Sequence, residues 1–371
     1  MRDGPLTVVA KIGTSSVTSA AGDVDVGAVG KLCGEVAEAR RAGHRVLVVT
    51  SGAVTAGVAA LRPPAGTLMA RPSDPITLQA LAGIGQHRLM RVYDDAFAGH
   101  GLVTAQVLLA PLDFMHRQQY LHARRTMERM LDLGVVPVVN ENDAVADDEI
   151  RFGDNDHLAA LVAHLLRADL LVLLTDTAGL LSADPRSDSA ATLIEEVTSG
   201  QDIGRVAARP GSSGSSGGMA SKVAAATMAA WSGVSAVIAA AQRPDVLRAA
   251  IAGEPGTGTR FAPEDRRLPA RKLWIAFAAR PQGEIQVDEG ARRALLERGT
   301  SLLPAGVTSV SGSFEPDDAV EITGPDGTVF ARGLARVPAL RAAEWLGRKT
   351  ADLPPDLAPE VVHRDDLVVV T

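Results

Sequence analysis

Cysteine is all but missing from this chain of 371 residues; Cys33 stands alone. One thiol closes no intrachain disulfide, so the fold rests on its core rather than on cross-links. Cys33 lies in a helix-forming stretch and reads as a small core side chain, the usual fate of a free cysteine. An excess of positive charge is also missing. The net charge of −7 argues against a general binder of nucleic acid or membrane surfaces. No run approaches the ~20 apolar residues that span a bilayer. The opening MRDGPLTVVAKIG enters a strand-like segment without the apolar core and cleavage site of a signal peptide. A cytoplasmic protein without membrane contact is expected. What is present is apolar: 46% of residues are hydrophobic, enough for a substantial core, and the length suits two domains better than one.

The first two thirds alternate short apolar strands with helices. LTVVAKIG, RVLVVTSGAV, LVTAQVLLA, VVPVVNEND, LLVLLTD and WSGVSAVIAA read as strands. Helices are expected over Val26–Arg41, through YLHARRTMERMLDLG and DHLAALVAHLLRAD, and before WSGVSAVIAA. Continuous Val, Leu and Ile runs separated by helices predict an α/β fold, with a mainly parallel sheet sandwiched by helices. Functional residues then belong at the carboxyl ends of the strands. Composition changes at the loop-rich GEPGTGTRFAPEDRRLPARK. From about Arg271 onward a small β-rich domain is expected, with PDG between EIT and TVFARG as a hairpin turn. The final stretch, rich in Pro, Asp and Glu, is expected to be partly ordered at best.

Polar residues gather where the strands end. Gly13, Thr14 and Ser15 follow Lys11; Ser51 and Gly52 follow VLVVT; Asn140, Asn142 and Asp143 follow VVPVV. Asp154, Asn155 and Asp156 precede a helix, Thr175 and Asp176 follow LLVLL, and GSSGSSGGMASK ends at Lys222. Each alone has a plain explanation. Asp154 to Asp156 would cap a helix, the glycines would make turns, and a strand-end lysine is usually solvated. Together, on one sheet edge, they point to a site. Two lysines and the N–H groups of Gly/Ser turns, without a thiol or histidine nucleophile, suit phosphoryl transfer, which relies on positioning and charge stabilisation. A carboxylate acceptor is already ionised at neutral pH and needs no general base. The acidic side chains would then hold a substrate ammonium group or orient the lysines. The Gly/Ser stretch lacks G-x-x-x-x-G-K-[ST], which disfavours a P-loop NTPase. His116 and His122 lack partners at metal-site spacing.

In order along the chain, AKIGTSSV, TSGAVTAG, QALAGIGQ, QVLLAPLDF, YLHARRT, VVNENDAV, RFGDNDHLAALVA, LLTDTAGLLSADPR and SGGMASKVAAA resemble the motifs of the glutamate 5-kinase family, of the amino-acid kinase fold. NENDAV followed closely by GDND is the most specific part. GEIQVDEGA, SLLPAGV and SGSFEPDDAVEI are similar to a PUA domain. The resemblance implies a catalytic domain over residues 1–258, a linker over 259–270, a PUA-like domain over 271–360 and a tail over 361–371.

It further implies transfer of the ATP γ-phosphoryl group to the side-chain carboxylate of L-glutamate, the first step of proline biosynthesis. Lys11 and Lys222 would stabilise the transferring group, with Asp154 and Asp156 organising lysines and substrate. Ser51, Asp143 and Asn155 would bind glutamate. Lys11, Thr175, Asp176, Ser216, Gly217, Gly218, Met219, Ala220, Ser221 and Lys222 would contact ATP, the Gly/Ser run serving as a mobile loop that closes over the nucleotide. Mg²⁺ is implied with ATP, held mostly by phosphates and water. Also implied are L-proline as feedback inhibitor, a homo-oligomer, and transient contact with the glutamyl-phosphate reductase. Three positions depart from the family pattern: SSGGM keeps a hydroxyl at Ser216, TSGAV keeps Ser51, and His122 stands where asparagine is expected. Two alternatives stay open. One is a kinase of the same fold acting on aspartate, N-acetylglutamate or a nucleotide. The other is an RNA-binding protein, disfavoured because Arg271 to Thr371 carry 12 Lys/Arg against 15 Asp/Glu, a net of −3.

Overall fold

Runs such as TVVAKI and LLVLLT are buried along nearly their whole length, as strands with helices on both faces must be. A computed structural model describes residues 4–61, 72–145, 155–183, 190–198, 218–264, 268–277, 279–353 and 360–370. The chain divides into two units, Met1–Arg267 and Leu268–Thr371.

The first unit is built on an eight-stranded sheet. Its strands are β1 (Thr7–Ile12), β2 (Arg45–Val49), β3 (Thr104–Leu109), β4 (Val136–Glu141), β5 (Leu170–Thr175), β6 (Glu196–Val197), β7 (Ser235–Ala240) and β8 (Gly258–Phe261), in the order β3-β4-β2-β1-β5-β7-β8-β6. Every pairing is parallel except β7 with β8. The first strand made therefore lies mid-sheet, with Lys11 level with Val49 of β2 and Leu173 of β5.

The helices are α1 (Thr14–Val17), α2 (Val26–Arg41), α3 (Ala53–Ala60), α4 (Pro75–Ala98), α5 (Pro111–Met115), α6 (Arg117–Asp132), α7 (Asn155–Leu166), α8 (Met219–Trp231) and α9 (Val246–Ala252). Asp25 caps α2 by accepting from the Ala28 N–H at 3.0 Å. Cys33 faces the core from that helix, and burial pushes its thiol up to about 12. Helix α7 is apolar nearly all round, and Leu158 to Val162 are fully buried.

The sequence reading assigned no helix to α3 or α4. Gly57, Gly83 and Gly85 weaken the helical signal of these stretches, yet α4 runs for 24 residues. It starts at Asp74, which accepts from the Thr77 N–H at 2.8 Å, with Pro75 in the first turn. Leu81, Gly85, Leu89, Tyr93 and Phe97 then repeat at helical spacing on its buried face. Two boundaries also differ from expectation. The linker expected from residue 259 begins inside β8, where Thr259 accepts from the Leu180 N–H and donates to the Ile194 carbonyl, tying the strand into the first unit.

The second unit contains α10 (Ala270–Phe277), β9 (Gly283–Val287), α11 (Glu289–Arg298), β10 (Val307–Gly312), β11 (Ala319–Thr323), β12 (Val329–Ala335), α12 (Ala339–Glu344) and β13 (Val362–Val369). Its strands form one sheet in the order β10-β9-β11-β12-β13 around Ile285, Val320, Ile322 and Phe330. The expected hairpin is β11–β12, antiparallel across the PDG turn. The tail expected over 361–371 is instead largely β13, because Val362, Leu367 and Val368 are buried beside β12.

Candidate active site

Lys11 comes from the end of β1 and is only 3% exposed, not the solvated charge that a strand-end lysine usually is. Its ammonium pairs with Asp156 Oδ1 at 2.5 Å. Asp156 lies in the first turn of α7 and is completely buried. Its second oxygen, Oδ2, accepts from Lys222 Nζ at 3.1 Å and from the Ser221 hydroxyl at 3.3 Å. Three segments far apart in sequence thus converge on one carboxylate. Separating two buried ammonium groups from water is costly, and a shared carboxylate offsets much of that cost. The trio keeps one net positive charge, which favours an incoming anion.

Lys222 and Ser221 belong to α8, which begins at Met219 after the cap residue Gly218. The expectation of a closing loop running to Lys222 is corrected here: Met219, Ala220, Ser221 and Lys222 are helical. The alanine-rich ASKVAAATMAA favours helix strongly enough to take them in. The N–H groups of the first turn and the Lys222 ammonium therefore come from one helix end, a geometry suited to anions. Ser216 and Gly217 lie outside the described residues, as does Asp154.

A chain of amides adjoins the trio. Asn155, next to Asp156, donates from Nδ2 to the Thr50 carbonyl at 2.7 Å, to Ser51 Oγ at 3.0 Å and to Asn140 Oδ1 at 2.6 Å. Asn140 donates in turn to Gln86 Oε1 at 2.7 Å. Ser51 follows β2, and the next residue, Gly52, starts α3 with φ at +103°, a conformation that favours glycine. Beyond Gln86 opens a cavity of about 320 Å³, lined by Ala53, Ala82, Gln106, Glu141, Asn142 and Asp143 among others.

Thr175 ends β5, the neighbour of β1, and Asp176 follows it, so they share the sheet edge with Lys11. The Thr175 hydroxyl is buried and donates to Asp176 Oδ1 at 3.0 Å, while Asp176 is exposed. The structure thus places two clusters side by side at the start of α7: Lys11, Ser221 and Lys222 on Asp156, and Ser51 on the adjacent Asn155. Asp143 lines the adjoining cavity. His116, at the start of α6, and His122, within it, are both exposed.

Residues 6–240 match the amino acid kinase family, and residues 283–354 match the PUA domain. The chain is 47% identical to a glutamate 5-kinase of Trichlorobacter lovleyi, over 98% of its own length and 96% of that protein. It is 44% identical to a glutamate 5-kinase of Mycobacterium avium, over 98% and 97% respectively. The chain belongs to the glutamate 5-kinase family. Among solved structures, carbamate kinase from Giardia lamblia bound to AMP-PNP superposes with a TM-score of 0.52 at 17% identity, covering 70% of this chain and 99% of that one. At that identity the likeness is one of fold.

Within this family member, sequence reasoning missed Gln86. The signal was available: Gln86 sits four residues after Ala82 and three before Leu89, a polar side chain on the buried stripe of α4. Among the described residues no three His, Cys, Asp or Glu side chains gather to hold a metal ion.

Proposed function

We infer that this chain transfers the γ-phosphoryl group of ATP to the side-chain carboxylate of L-glutamate, yielding L-glutamyl 5-phosphate and ADP. The observation that carries this reading is the pair of lysines held on the two oxygens of buried Asp156. A transferring phosphoryl group spreads negative charge over three oxygens, and donors already fixed in position stabilise that charge without reorganising. Lys11 and Lys222 supply those donors, and Asp156 holds them at their posts. A glutamate carboxylate oxygen forms the new bond to phosphorus as the bond to the β-phosphate oxygen breaks, and ADP leaves with that electron pair. The attacking carboxylate is already ionised, so no proton has to be removed.

Asn155 and Ser51 flank the reacting end of glutamate, and Asp143 takes its ammonium group in the adjoining cavity. Thr175, Asp176 and the start of α8 receive the nucleotide, whose phosphates would carry Mg²⁺ to help neutralise their charge. We take the setting to be the cytoplasm, in keeping with ATP use; among the described residues no helix is long and apolar enough to cross a membrane. By the same reading L-proline, end product of the route that glutamyl 5-phosphate opens, competes in the glutamate cavity. The protein assembles as a homo-oligomer and passes its labile acyl phosphate to the reductase. The deciding test is ATP-dependent hydroxamate formation with L-glutamate, against L-aspartate and N-acetyl-L-glutamate. Trapped acyl phosphate with glutamate alone is expected; equal or greater yield from either control would reassign the substrate.

A further inference from the structure

The amide chain beside the lysine trio has a direction that the backbone imposes. The Thr50 carbonyl only accepts, so the Asn155 atom facing it at 2.7 Å must be the NH₂. That NH₂ also faces Asn140, whose nearer atom must then be its oxygen, and the Glu141 N–H on the same oxygen at 3.0 Å requires the same. The Asn140 NH₂ therefore faces outward to Gln86, which must present its own oxygen. Three side-chain orientations follow from two backbone groups. They leave Nε2 of Gln86 as the donor at the far end. It is buried, Gln86 is only 7% exposed, and among the described residues Nε2 has no acceptor. A buried N–H without an acceptor is destabilising and calls for an explanation. Gln86 also lines the cavity shared with Asn142 and Asp143. Accepting from Asn140 further polarises the Gln86 amide and strengthens it as a donor.

We propose that Gln86 is a specificity residue whose Nε2 donates to the α-carboxylate of glutamate in this cavity. The assignment rests on the glutamate reading above. Nε2 supplies a donor for one α-substituent while Asp143 offers a carboxylate to the other, so the cavity recognises both marks of an α-amino acid. A site built to hydrogen-bond a substrate group discriminates strongly against analogues that lack it.

The test compares L-glutamate with 4-aminobutanoate, which is glutamate without its α-carboxylate, by ADP release at saturating ATP. Gln86→Met removes the donor at similar length. The expected result is a rise of about tenfold or more in KM for glutamate, the cost of losing one hydrogen bond to a charged group, with kcat changed far less. For 4-aminobutanoate, kcat/KM should stay within about twofold of wild type, because the lost partner is absent from that substrate. Equal losses on both substrates would overturn the proposal, since Gln86 would then act only through Asn140. So would an unchanged KM for glutamate. Gln86→Glu gives an independent readout: its KM for glutamate should climb with pH as the new carboxyl loses its proton and its ability to donate. A KM as flat with pH as that of wild type would count against the assignment. Failure of the underlying reading looks different, because wild type itself would then be inert toward L-glutamate.

Discussion

Gly57 of α3 and Gly85 of α4 meet backbone to backbone. A Cβ added at Gly85 would lie 2.4 Å from the Gly57 nitrogen and 1.7 Å from the Ala53 carbonyl oxygen. One added at Gly57 would lie 2.0 Å from the Leu81 carbonyl oxygen. Only hydrogen fits at this crossing, and it fixes the height at which the next residue, Gln86, enters the buried face. Gly85→Ala is therefore expected to destabilise the protein by at least the ~1–3 kcal/mol typical of overpacking, since rigid backbone stands in the way. Urea unfolding checks it, and wild-type stability in this variant would contradict the crossing.

Lys222→Ala should leave the fold intact and cripple transfer. Removing one pre-positioned donor to developing charge typically costs about 2.7–4 kcal/mol of barrier lowering, or ~10²–10³ in kcat. Steady-state rates at saturating ATP and glutamate measure the loss, with circular dichroism to verify folding. Turnover near that of wild type would remove Lys222 from the reaction.

Asp143→Ala should act on binding. If its carboxylate holds the substrate ammonium, KM for glutamate rises with kcat largely kept. L-Proline carries an ammonium group too, so the proline concentration for half-inhibition should rise in parallel. A variant with raised KM but unaltered proline response would separate the two sites.

His164 on α7 links stability to acidity. Burial, with Arg167 and Arg124 nearby, lowers its imidazole from the usual 6.5 to about 4. Between those values the unfolded chain binds the proton and the folded protein does not. Its contribution is therefore complete above about pH 6.5 and is lost as pH falls toward 4. One proton corresponds to at most ~1.4 kcal/mol per pH unit. The stability of wild type minus that of His164→Gln, from urea unfolding across this window, should fall with pH; parallel curves would refute it.

A fragment of residues 1–267 should fold and form hydroxamate from glutamate. It keeps every strand of the first sheet. A fragment ending at residue 257 should fail, because it strips β8 from between β7 and β6. A folded, ATP-binding 1–267 fragment without activity would assign the second unit a part in catalysis.

The parallel sheet was legible because Val, Leu and Ile runs alternate with helical stretches, and the strand-end polar residues marked one edge. Pairing was not legible: nothing local in DND says that Asp156 faces two lysines, at positions 11 and 222. Helices α3 and α4 escaped notice because glycines needed for their close crossing look like breakers one residue at a time. The β13 edge strand was hidden by the Pro- and Asp-rich segment before it, whose composition drew the reading toward disorder.

The central place of β1 has a consequence for synthesis on the ribosome. Residues 7–12 emerge first, and their β2 partner follows soon after, but the β5 partner lies about 160 residues further along. At ~5–20 residues per second that is a wait of roughly 8–30 seconds. Throughout it, one edge of β1 stays unpaired, and Lys11 waits near it for the carboxylate of Asp156. That edge is the one left open longest among the strands of the first sheet, so the interval before β5 arrives is when this protein most needs shielding from its neighbours.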